Sequence, residues 1–283
     1  MKAIDKFNLK LYNSYRLDVY CSVAYFPESE DDVVEFYSKF DDFIMLGSGH
    51  NVILSKNFYD KRFLIFNGNF NEAKCENNLI IAQAGCSMLQ LSELALSHGL
   101  SGLEIFYDIP SSLGGAVVMN AGASGEEIKD VLFKVRYLDL ADMQVKEIFK
   151  EDMEFEYRNS FFQRNTDKVV LKAWIKLVPK EKEAIKNKME LIRNQRWAKQ
   201  PKEFPNAGSV FKRPKGFFVG AMIDELNLKG FTIGGAKISE KHGGFIVNYD
   251  NATGQDIIEI INEVKKLVYD RFGVDLEVEQ RII

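Results

Sequence analysis

With 283 residues, 46% of them hydrophobic and 28% charged, the chain is too long for a disulfide-stapled mini-domain and too apolar for a disordered one; at about 150 residues per domain it is expected to form two. The 37 Lys and Arg against 41 Asp and Glu leave a net charge of −4, so no global field draws the molecule to nucleic acid or anionic lipid. Any anionic ligand must be held by local chemistry.

Along the chain, Ser29 caps a helix starting at Glu30. Phe43–Leu46 reads as a strand that breaks at Gly47-Ser48-Gly49 and resumes at Val52, where a dinucleotide-binding βαβ unit would place a helix. Short strands follow at 63–66 and 79–82, then a helix from Ser87 to His98 that ends at Gly99. Strands and helices alternate to a run at 169–178, and the charged segment 180–197, with Ile185, Met189 and Ile192 at helical spacing, reads as a connector. Gln200-Pro201 stops it and marks a domain boundary. The last helix is the clearest element: Thr253 and Asp256 form its cap, Ile257, Ile260, Ile261, Val264 and Val268 its stripe, and Gly273 its end. The alternation of 274–279 predicts a closing strand with one core face and one acidic face.

Cys21, Cys75 and Cys86 cannot all pair and match no zinc spacing, so free thiols in a reducing compartment and no metal are expected. No apolar run approaches the ~18 residues that span a bilayer, and the N-terminus has no signal-peptide core. The expectation is a cytoplasmic monomer, partnered with neither nucleic acid nor membrane.

Two segments offer backbone for close ligand contact. Gly47-Ser48-Gly49-His50-Asn51 supplies consecutive small residues whose N–H groups could cradle phosphate oxygens, although it fits neither the Rossmann nor the Walker pattern. The run from Ile109-Pro110 through Ser112, Gly114, Gly115, Asn120, Ala121 and Gly122 to Gly125 reads as a second, glycine-dense loop. Taken alone, the first loop reads more readily as a bare turn, whereas the glycine density of the second favours close contact over a packing turn.

In order, the chain carries Leu46-Gly-Ser-Gly-His-Asn51, Gly102-Leu-Glu104, Gly114-Gly115-Ala, Met119-Asn-Ala-Gly122, Tyr157-Arg158-Asn-Ser160, Pro205-Asn206-Ala-Gly-Ser209-Val-Phe-Lys212-Arg213-Pro214, Ser239-Glu-Lys-His242 and Leu276-Glu-Val-Glu279-Gln-Arg281. From residue 40 to the end this series resembles the UDP-N-acetylenolpyruvoylglucosamine reductase family, in the short form that lacks a tyrosine-bearing insert over the substrate. The resemblance implies an α+β protein with a two-lobed FAD-binding domain of the vanillyl-alcohol-oxidase and p-cresol-methylhydroxylase type, over 1–197 (lobes about 1–72 and 73–197). It also implies a UDP-sugar-binding domain over 198–283, whose last strand returns towards the flavin.

The activity implied is NADPH-dependent reduction of UDP-N-acetylglucosamine enolpyruvate to UDP-N-acetylmuramate, in peptidoglycan precursor synthesis. FAD would be held non-covalently by the two glycine-rich segments. By motif position Ser209, Arg158 and Glu279 are the catalytic residues, and Lys199, Asn206, Lys212, Arg213 and His242 the candidates for the UDP-sugar. Their residue types suit the chemistry independently. Hydride at the β-carbon leaves charge on the α-carbon and carboxylate, which calls for a guanidinium fork, an acid and a proton donor. The sequence departs from the pattern at His50, where serine is usual, and at Asp108, Ser111 and Ser124. A histidine there leaves covalent flavin attachment open, and with it another FAD oxidoreductase. A non-catalytic nucleotide-binding protein, which need not keep the three catalytic residue types, is the other alternative.

Overall fold

A computed structural model describes all of residues 1–283. The chain divides into two compact units, one made of 1–4, 24–48 and 62–195, the other of 5–23, 49–61 and 196–283.

The first unit is built on a five-stranded antiparallel sheet in the order Gln144–Phe149, Leu132–Asp139, Lys168–Lys176, Leu79–Gln83, Ala73–Glu76. In its central strand Val169, Leu171, Ala173 and Ile175 alternate onto one face and are buried, as a strand's two-residue period requires. Helix α1 (Glu30–Lys39) starts where the Ser29 hydroxyl accepts the Asp32 N–H, and α2 (Met88–Ser97) where the Ser87 hydroxyl accepts the Gln90 N–H. Met88, Leu91 and Ala95 of α2 and Leu113, Ala116 and Val117 of α3 (Leu113–Met119) close one apolar core with the sheet. A short helix, α4 (Phe161–Arg164), follows, and α5 (Lys182–Lys199) carries the chain out of this unit. Phe43–Leu46 pairs in parallel with 62–65 and delivers the chain to the first glycine loop.

The second unit packs a three-stranded antiparallel sheet, Thr232–Ile233, Ala236–Ile238 and Ile246–Asn248, with α6 (Val219–Glu225) and α7 (Gly254–Phe272). The cap of α7 is reciprocal between Thr253 and Asp256, its stripe is buried, and Gly273 ends it at φ +66°. Arg281–Ile282 pairs in parallel with Val52–Ile53.

Two sequence expectations are corrected. The run 274–279 is extended but is no strand: apart from one bridge between Phe211 and Val278 it has no ladder, because the chain turns away after Glu279 and pairs elsewhere from Arg281. The segment 109–125 is not one loop. Ser112 caps α3, Asn120 closes it at φ +44°, and Gly122–Ala123 returns against Glu126–Glu127 as a hairpin. All three cysteines are free, and burial pushes the Cys86 thiol up to about 12 and Cys21 to about 11, the behaviour of small core hydrophobes.

Candidate functional site

The loop 47–51 is fixed by its carbonyls and by side chains of its surroundings. The Gly49 carbonyl accepts the Ser14 N–H at 3.0 Å and the Ser14 hydroxyl at 2.9 Å, and the Asn51 carbonyl accepts the Arg281 N–H at 2.9 Å. Ser48 Oγ accepts the Ser112 N–H at 2.9 Å, and a Cβ on Gly47 would stand 2.9 Å from Ser112 Oγ. Gly49 has φ +71°, and a Cβ there would lie 2.0 Å from the Tyr12 carbonyl oxygen, so only glycine fits. The amide N–H groups of 47–51 are given to no acceptor in the protein, which leaves a row of donors of the kind that binds phosphate oxygens.

His50 stands in that row with its Nδ1 buried and unpartnered, and Ser111 Oγ of the first unit is likewise buried without a partner. Burial, with the Arg16 charge adding to it, pulls the His50 imidazole down to about 4, so it is neutral at physiological pH. An unfolded histidine protonates near 6.5 while the folded one does not until about 4. Folding therefore loses up to about 1.4 kcal/mol per pH unit through that window and no more below it. In thermal melts of flavin-free protein, His50→Gln is expected to gain stability relative to the parent between pH 7 and pH 5. A difference that does not change with pH would show that His50 is already accessible to protons.

The second glycine-rich segment spends part of its main chain within the protein. The Leu113 and Gly114 N–H groups are donated to the Cys86 and Ala84 carbonyls, and Gly115 N–H to the cap hydroxyl of Ser112. A Cβ on Gly114 would come within 3.1 Å of the Ala84 Cβ, and one on Gly115 within 3.2 Å of Ser112 Oγ. Asn120 is fully buried and spends its amide on the Glu127 carboxylate at 2.8 Å and the Glu156 carbonyl at 2.9 Å. These bonds tie the end of α3 to the turn that carries Arg158. Ile109 and Ala121 are half-buried, while Pro110 and Gly125 lie at the surface.

Arg158 sits at φ +55° beside Tyr157 and donates from Nη2 to the Gly122 carbonyl at 2.8 Å. One edge of its guanidinium is thereby held by main chain, which fixes the direction of the fork.

In the second unit the main chain of Glu279 runs beside that of Val210, the residue after Ser209. The Glu279 N–H donates to the Val210 carbonyl at 2.8 Å, the Lys212 N–H donates to the Glu277 carbonyl at 2.9 Å, and the Asn51 side chain donates to the Glu279 carbonyl at 3.1 Å. Ser209 is exposed and follows Gly208, whose φ of +81° sets the turn that presents it. Asn206 makes that turn: its Nδ2 donates to the Pro201 and Phe204 carbonyls, both at 2.9 Å, and its Oδ1 accepts the Gly208 N–H at 3.1 Å.

The basic candidates differ in how far their charge is committed. Lys212 pairs with Glu277 at 2.5 Å, and His242 Nδ1 accepts the Gly244 N–H at 3.1 Å. Lys199 is exposed at the end of α5, and the exposed Arg213 lies 4.0 Å over the Phe218 ring.

Sequence reasoning missed Gln280. It stands on the inward parity of Leu276 and Val278 yet is polar, and it is 3% exposed. A polar side chain on the apolar face of an alternating segment was the available signal.

Comparison with known proteins bears on the whole chain. Residues 21–148 match the FAD binding domain family, and residues 200–283 match the UDP-N-acetylenolpyruvoylglucosamine reductase C-terminal domain family. The UDP-N-acetylenolpyruvoylglucosamine reductase of Francisella tularensis is 40% identical over 278 residues, covering 98% of each chain. The chain belongs to the UDP-N-acetylenolpyruvoylglucosamine reductase family. The reductase of Caldanaerobacter subterraneus is 39% identical over 97% of this chain and 91% of its own. The crystal structure of the Thermus caldophilus UDP-N-acetylenolpyruvylglucosamine reductase aligns with TM-score 0.84 at 29% identity, covering 99% of this chain and 98% of that one. Membership in this reductase family makes the protein an α+β flavoprotein with an FAD-binding domain and a family-specific C-terminal domain. No helix is long and apolar enough to cross a membrane.

Proposed function

We propose that the protein reduces the enolpyruvyl ether of UDP-N-acetylglucosamine enolpyruvate to UDP-N-acetylmuramate with NADPH as reductant, as a cytoplasmic monomer in peptidoglycan precursor synthesis. The observation that carries this reading is the hydrogen bond from Glu279 N–H to the carbonyl of Val210, which brings the main chain of Glu279 beside the residue after Ser209, in a chain of this family. The residues present fit non-covalent FAD: the free amides of 47–51 are donors suited to a diphosphate, and the buried, unpartnered His50 Nδ1 adds another in its Nδ1–H tautomer. Bound FAD would supply the hydride chemistry, taking hydride from NADPH and giving it to the β-carbon of the substrate.

What the chain's residues do follows from the charge that hydride leaves behind. Arg158, with one edge of its fork held by Gly122, binds the substrate carboxylate and stabilises the charge that spreads onto it. Glu279, when protonated in a desolvated site, can donate a hydrogen bond to the same developing enolate. The Ser209 hydroxyl delivers the proton to the α-carbon. Lys199, Arg213 and the free edge of His242 are the groups offered to the uridine diphosphate, while Lys212 and Asn206 act by shaping the segment that bears Ser209.

The purified protein is expected to be yellow, to bleach on anaerobic addition of NADPH, and to regain its colour when the enolpyruvyl sugar is added. Acid precipitation is expected to leave the flavin in the supernatant. A protein that bleaches but stays reduced in the presence of the sugar contradicts the proposal, and flavin that precipitates with the protein contradicts non-covalent binding.

A further inference from the structure

We propose that Gln280, oriented by Tyr15, is the positioning residue that holds Ser209 at a fixed separation from Glu279; the inference rests on the reductase reading above. Gln280 Nε2 faces three consecutive carbonyls, those of Ala207 at 3.1 Å, Gly208 at 3.1 Å and Ser209 at 3.3 Å. Three successive carbonyl dipoles aimed at one point repel one another unless a donor stands among them, and a primary amide, with two hydrogens on one nitrogen, is the neutral side chain that serves. The residue that follows Glu279 in the chain thus reaches across to the residue that carries the proton-donating hydroxyl. Its backbone sets one member of the pair and its side chain the other.

The amide could be flipped, and the flipped form would set an oxygen against the three carbonyls. The three carbonyls, which can only accept, remove that choice. The Tyr15 hydroxyl then donates to Gln280 Oε1 at 2.9 Å and holds the oxygen end, so the amide is gripped at both ends. Tyr15 is itself fully buried, and its carbonyl accepts the Asn248 side chain at 2.7 Å, which ties it to the three-stranded sheet. The path from sheet to Ser209 runs through Asn248, Tyr15 and Gln280 without an exposed link. An apolar residue at 280 would satisfy the alternation of the segment and fill the same volume, but it would leave the turn at Gly208 free to rotate its carbonyls towards water and carry Ser209 with them. Placement errors of about 1 Å at a reacting group cost on the order of 100-fold in rate.

The test uses the flavin-loaded enzyme in anaerobic rapid mixing, with flavin reduction by NADPH and reoxidation by the enolpyruvyl sugar followed separately. For Gln280→Leu, reoxidation is expected to slow by about 10- to 100-fold while reduction stays within about twofold of the parent. Tyr15→Phe removes one oxygen and leaves the packing, so it serves where Gln280→Leu folds poorly; a smaller slowing of reoxidation alone is expected, together with a larger solvent deuterium effect on that step. A role confined to stability would move both steps or neither, and either result overturns the proposal. A parent enzyme that the sugar leaves reduced overturns the reductase reading and this inference with it. A parent that turns over beside variants with unaltered reoxidation overturns the positioning role alone.

Discussion

Exchange of Ser209 for Ala is expected to slow reoxidation of the flavin by the enolpyruvyl sugar by about a thousandfold, within the range that removal of a positioned proton donor costs, and to leave reduction by NADPH within about twofold. The argument is one of location. Ser209 is exposed, its hydroxyl takes no part in the hydrogen bonds that form its turn, and those bonds run through Asn206, Gln280 and the Val210 carbonyl, none of which the substitution touches. The fold therefore has no reason to change, and thermal stability is expected to stay within about 0.5 kcal/mol. Only the step that needs a proton at the α-carbon loses its donor. Stopped-flow traces at the flavin absorption band separate the two half-reactions, and equal slowing of both would rule out Ser209 as the proton donor. Ser209→Cys keeps an exchangeable proton at that position and is expected to recover part of the lost rate.

What could be read from the sequence is what local chemistry decides. Ser29, Ser87 and the Thr253–Asp256 pair each satisfy backbone donors within four residues, so the helices they open are legible without tertiary knowledge. The strand predicted at 274–279 failed for the opposite reason. Its alternation is real, since Leu276 is buried and Glu277 exposed, but a ladder needs a partner, and the partner of the C-terminus lies at Val52–Ile53, more than two hundred residues away in the chain. Glycine density does not by itself separate packing from ligand contact, because both leave the same composition. At Gly114 a Cβ would press on Ala84, whereas at Gly49 the main chain around Tyr12 leaves no room while the loop's amides stay free. The catalytic residue types stood in quoted motifs, but nothing local indicated that Tyr15, 265 residues away, fixes Gln280.

Gly49→Ala is expected to be the most damaging single methyl addition in the loop 47–51. The new Cβ would start 2.0 Å from the Tyr12 carbonyl oxygen and 2.8 Å from its carbon, both main-chain atoms that no side-chain rotation relieves. The residue would also have to hold φ +71°, which costs an L-residue roughly 1 kcal/mol against glycine. Overpacking against rigid backbone adds about 1–3 kcal/mol more. The loop can escape only by moving away from Tyr12, which breaks the two bonds from Ser14 to the Gly49 carbonyl and displaces the free amides beside it. FAD affinity, read from quenching of flavin fluorescence on titration into flavin-free protein, is therefore expected to fall by about 100-fold or more, since each tenfold corresponds to 1.4 kcal/mol. Gly273→Ala is the control that isolates the conformational part. Gly273 has φ +66° with nothing within 4 Å of a new Cβ, so it bears the left-handed penalty without the collision. It is expected to lose about 1 kcal/mol of stability and little flavin affinity. If the two variants lose FAD affinity alike, or if Gly49→Ala binds FAD within threefold of the parent, the loop is not the rigid donor row that the fold presents.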